Sequence, residues 1–68
     1  MDHEETNAMV DALIALRNQG HQIVANTFAK DLAESLKQNN MNEYSRVSKI
    51  VIATAEYFSK KAVEKKSD

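Results

Sequence analysis

The chain is expected to be all-α, a helical hairpin or three-helix unit that assembles into a dimeric helical bundle. Three observations predict this. Apolar residues recur at three- and four-residue spacing instead of alternating. There is no proline and a single glycine, Gly20. Residues 40–66 read as one uninterrupted helix whose middle, Ile50 to Phe58, is apolar around most of its circumference and so needs neighbours on more than one side.

The first element, about residues 4–19, carries Met9, Val10, Leu13, Ile14 and Leu16 with Ala8, Ala12 and Ala15 between them, which is helical spacing. Thr6 or Asp2 is placed to cap its start, and Glu4 and Glu5 suit the positive end of a helix dipole. The second element, about 22–38, sets Val24, Phe28, Leu32 and Leu36 four residues apart as a packing ridge. Gly20 stands between the two and is the residue favoured just past a helix end. The apolar stripe of the first element extends through Gly20 to Ile23 and then misses the Phe28 ridge. The face rotates there, so a break or strong bend is expected at Gly20.

Gln38-Asn39-Asn40 marks the second turn. Asn40 with Glu43 three residues later forms an Asn version of the capping box, opening the third element at about 41–66. Tyr44, Val47, Val51, Thr54, Phe58 and Lys61 follow a heptad-like seam along it, widened by Ser48, Ala55 and Ala62. Ile50 and Tyr57 project from one flank of that seam, Ile52 and Val63 from the other. At 1.5 Å per residue this helix is about 39 Å long against about 25 Å for either earlier one, so its end is expected to overhang. Folding it back antiparallel against the first two would fill the core with Val47, Val51, Phe58, Val24, Phe28, Leu32, Leu13 and Leu16.

A chain of 68 residues is one domain, 1–68, with 1–3 and 65–68 expected to be mobile. A domain of this size buries only about 60% of its unfolded surface and usually needs a staple. Without cysteine it has neither a disulfide nor a thiolate metal site, which leaves oligomerisation or very regular helix packing. The acidic opening Met1-Asp2-His3-Glu4-Glu5 is unlike a secretory signal, and no apolar run approaches the roughly 20 residues of a membrane span. A cytoplasmic protein with no membrane partner is expected.

The two halves differ in charge. Residues 1–36 hold six acids against two bases, −4, and residues 37–68 hold seven bases against four acids, +3. This asymmetry suits either a nucleic-acid-binding end or an antiparallel pairing of copies, acidic helix against basic end.

Catalysis is not expected. One glycine cannot build a phosphate-cradling loop, there is no thiol, and the carboxylate pairs Glu4-Glu5 and Asp31/Glu34 read as solvated helix charges. No cofactor or metal is expected: His21 has no second ligand at helical spacing, and Met1-Asp2-His3 is an amino-terminal copper- or nickel-binding pattern that is common by chance. Phe28 to Leu36 followed by Tyr44 to Val51 resembles the two helices of a helix-turn-helix. That resemblance implies DNA contacts by Ser45, Arg46 and Lys49, with Lys60 and Lys61 adding charge from the basic second half. The link from Leu36 is longer than the usual three- or four-residue turn and lacks glycine, which makes DNA binding through 28–51 the alternative reading.

The preferred reading is a non-enzymatic helical interaction protein, a regulator, inhibitor or adaptor that presents a helical face to a larger protein and forms a homodimer. Ile50, Ile52, Tyr57 and Val63 are the expected protein interface. Burying a large apolar side chain contributes about 1.5–3 kcal/mol, so leaving several exposed forgoes stability comparable to the whole of a small fold. Small helical chains of this composition are frequent among bacterial, phage and plasmid accessory factors, an observation of type only.

Overall fold

The computed structural model describes the backbone of residues 3–66 and the side chains of 3–62. Three helices form a single all-α unit: α1, His3–Asn18; α2, Gln22–Lys37; and α3, Met41–Lys66. Among the described residues there is no strand. The boundaries fall within about one residue of those expected, because both breaks are local chemistry. Expectations for residues 1–2 and 67–68, including the amino-terminal metal pattern and a cap at Asp2, lie outside the described residues. Thr6 is an interior residue of α1, not its cap.

Both turns close in the same way. Gly20, at φ +92°, ends α1 in the left-handed region. The His21 N–H donates to the Leu16 carbonyl at 2.8 Å and the Gly20 N–H to that of Arg17 at 3.0 Å, the Schellman pattern. Asn39, at φ 56°, repeats it after α2. There the Asn40 N–H donates to the Ser35 carbonyl at 2.8 Å and the Asn39 N–H to that of Leu36 at 3.0 Å. Asparagine tolerates this conformation without glycine. The expectation of a long second link is therefore corrected, since only Gln38, Asn39 and Asn40 separate α2 from α3.

The capping box forms by half. Asn40 Oδ1 accepts the Glu43 N–H at 3.2 Å. The Glu43 carboxylate does not return the bond, because the Asn40 N–H is already given to Ser35; it takes two hydrogen bonds from Arg46 instead, at 2.9 and 2.6 Å.

Contacts at the first turn set the helix directions. Gln19 Nε2 donates to Ser59 Oγ at 3.2 Å, and the His21 ring stacks on Phe58 with centroids 4.0 Å apart. The Gly20 turn thus sits level with residues 58 and 59 of α3. Since α2 leads directly into α3, it runs antiparallel to α3 along its whole length, and α1 runs in the same sense as α3. This corrects the expectation that α3 lies antiparallel to both: α1 reverses into α2 at Gly20, so only one of them can oppose α3. Arg17 Nη2 ties α1 to α2 across the turn by donating to Asn26 Oδ1 at 2.7 Å. Beyond Ser59, α3 continues to Lys66, about 10 Å past the turn. The radius of gyration is accordingly 12.8 Å, against about 11 Å for a compact domain of this length.

The core is built around small residues. Met9, Ala12 and Leu16 of α1, Ala25, Leu32 and Ser35 of α2, and Val47, Ser48, Val51 and Ala55 of α3 are buried. Leu13, Val24, Phe28, Tyr44, Ile52 and Phe58 pack partly buried against them. All eight expected core residues are thus in the core or against it. Ser48 and Ala55 lie buried on the α3 seam as expected, while Ala12, Ala25 and Ser35 at the centre were not foreseen. Short side chains let three helices approach closely, while the larger ones fill the wedges between them.

Candidate interaction surface

The outer side of α3 is where the unburied apolar surface and the fixed side chains coincide. Ile50 and Tyr57 are 40% and 56% exposed, and they stand two turns apart on one flank. Tyr57 is held in place despite its exposure. Its ring meets Phe58 edge-on with centroids 5.4 Å apart, Phe58 is backed by the His21 stack, and Lys61 Nζ lies 5.7 Å from the Tyr57 centroid. An aromatic ring already fixed by its neighbours loses little freedom on binding, which is the property of an interface anchor.

The four expected interface residues do not act together. Ile52 is half-buried against the core at the α1 side of α3. Its flank faces α1, where it helps floor the groove between α1 and α3. The Val63 side chain lies outside the described residues. Exposed apolar residues not foreseen as surface are Val10 and Ile14 on the outer face of α1, Ile23 in the first turn of α2, and Leu36 and Met41 on either side of the second turn. For Val10 and Ile14 a signal existed: each lies two residues from Ala12, on the opposite side of the helix. Ile23, 82% exposed, follows from the rotation of the stripe at Gly20.

Around Ile50 and Tyr57, the exposed residues Arg46, Lys49, Ala53, Glu56 and Lys60 complete the outer strip of α3. A shallow groove between α1 and α3, floored by Ala8, Ala12 and Ile52, borders it and reaches Ala53 and Tyr57. Among the described residues Glu43–Arg46, at 2.6 Å, is the sole ion pair. The Arg46 guanidinium, by hydrogen bonding to Glu43, holds its carboxyl below the ordinary carboxylate range.

Of the residues expected to contact DNA, Arg46, Lys49 and Lys60 share the outer strip of α3, whereas Ser45 and Lys61 lie off it. Ser45 is half-buried, Arg46 is engaged by Glu43, Lys49 and Lys60 point outward from α3, and Lys61 lies over the Tyr57 ring. The two helices that carry the resemblance lie side by side as an antiparallel hairpin, where a helix-turn-helix crosses its helices at about 90–120°. Among the described residues no group of three or more His, Cys, Asp or Glu could hold a metal ion. No described helix is long and apolar enough to cross a membrane.

The chain matches no protein-family model, and no curated protein or solved structure shows significant similarity to it.

Proposed function

We propose that this chain is a non-enzymatic helical interaction protein of the cytoplasm, a regulator, inhibitor or adaptor that presents the outer face of α3 to a larger protein and also self-associates. One observation carries the reading: Ile50 and the pre-positioned Tyr57 stay exposed on the helix that the rest of the fold packs against. Burying the pair would contribute roughly 3–6 kcal/mol before the cost of association.

A photo-crosslinking amino acid at Tyr57, expressed in the native host, tests this. The expected result is a discrete adduct heavier than two copies of the chain, absent when the crosslinker replaces Lys30 and lost on adding Ile50→Glu. An adduct no heavier than two copies removes the larger partner. The whole reading falls if no adduct forms while the purified protein shifts duplex DNA in a steeply salt-dependent way that Arg46→Ala with Lys49→Ala abolishes.

A further inference from the structure

We infer that the outer face of α3 is self-complementary and seats a second copy of this chain, antiparallel, about a two-fold axis passing beside Ala53. The inference rests on the reading of that face as an interaction surface and names its occupant.

The residue pattern selects the partner. At 3.6 residues per turn, Ala53 is the midline of the exposed strip. Lys49, four residues before it, and Glu56, three after it, stand on one side; Ile50, three before, and Tyr57, four after, stand on the other. A two-fold axis perpendicular to the helices at Ala53 leaves each side facing itself and exchanges positions before Ala53 with those after it. Ile50 of each copy then meets Tyr57 of the other, Lys49 meets Glu56 of the other, and Ala53 faces Ala53. Every contact occurs twice.

Parallel pairing would instead exchange the two sides, setting Lys49 against Ile50 and Glu56 against Tyr57 and leaving both charges without a partner, so charge complementarity selects the antiparallel sense. A methyl group at the crossing lets the axes approach to the short end of the roughly 8–10 Å range. Arg46 comes opposite Lys60 of the second copy, but the two hydrogen bonds to Glu43 make it part of a neutral pair. Farther out, Lys60 and Lys61 of one copy lie toward the end of the other where α1 begins with Glu4 and Glu5. The sequence-wide charge asymmetry is thereby matched acid to base. A larger protein bound at this face would displace the second copy.

Charge exchange tests the pairing directly. In sedimentation equilibrium of the full chain across the micromolar range, wild type is expected to dimerise. Lys49→Glu or Glu56→Lys alone should weaken the dimer about tenfold or more, since two pairs are lost and two repulsions appear. Combining them should restore affinity. The chain has no cysteine, so Ala53→Cys should form an intermolecular disulfide under mild oxidation, while Ile23→Cys, exposed on α2, should not. If the single swaps leave the dimer unchanged, or the double swap fails to rescue it, or Ala53→Cys links no faster than Ile23→Cys, this pairing is wrong and the docking reading of α3 stands. A wild-type chain that stays monomeric throughout refutes self-association altogether, whereas the host crosslink at Tyr57 decides the larger partner separately.

Discussion

Ser48 is the place where the core departs from good chemistry, and removing its hydroxyl should make the protein more stable. The side chain is 1% exposed and its Oγ has no hydrogen-bond partner. Three other helical hydroxyls, those of Thr27, Ser35 and Thr54, each donate to the carbonyl four residues earlier, at 2.9, 2.9 and 2.7 Å. A buried unpaired hydroxyl costs about 1–3 kcal/mol in lost hydration. Alanine in a helix gains roughly 0.5 kcal/mol over serine. The missing oxygen leaves a void of some 15–20 Å³, costing about 0.4 kcal/mol. Ser48→Ala should therefore stabilise the fold by about 1–3 kcal/mol. For a domain of this size that raises Tm by at least about 4 °C. The assay is thermal and urea unfolding followed by far-UV circular dichroism at one protein concentration, because association would shift the midpoint. Ser35→Ala is the control, buried but paired, and should change stability by less than about 0.5 kcal/mol, since the Asp31 carbonyl keeps its helical bond. A Ser48→Ala midpoint equal to or below that of wild type would show that the hydroxyl is satisfied in the folded protein and refute the reasoning.

Other perturbations separate backbone, core and charge. Gly20→Ala should cost about 1–2 kcal/mol in urea unfolding purely through its left-handed φ of +92°, because an added Cβ meets nothing within 4 Å, and Gly20→Asn should lose less. Leu16→Ala empties a site that is 0% exposed and should cost about 3–5 kcal/mol, enough to abolish a cooperative thermal transition in a domain this small. Asn40→Ala removes the cap on α3 and should cost about 1 kcal/mol, read as a lowered denaturation midpoint. Because Arg46 lowers the folded-state pKa of Glu43, the pair's contribution is present at neutral pH and is lost as pH falls through that depressed pKa. Stability measured across the acid range should accordingly depend less on pH in Glu43→Gln than in wild type.

The exposure of the α3 flanks was legible in part, but not which flank stays open. The flank assignment on α3 correctly separated Ile50 and Tyr57 from Ile52, yet the sequence could not tell which flank α1 would cover. The aromatic stack that fixes Tyr57 joins residues 21 and 58, too far apart for any local pattern to pair them. Ala12 and Ala25 gave no signal of their central burial, because alanine is as common on a helix surface as at a close crossing.

What the residues determine unaided is the series of helices and their ends. Gly20 and Asn39 adopt left-handed conformations, and Asn40 caps α3, through contacts within a few positions of each, so three helices and two turns follow from neighbours in the chain. Only tertiary structure decided that α1 runs along α3 in the same sense, that Ile52 turns inward, and that Ile50 and Tyr57 remain outside. The middle of α3 is apolar nearly all round, so its periodicity allows several faces to be buried. Two short helices cannot cover them all, and the way those helices cross selects the face left open.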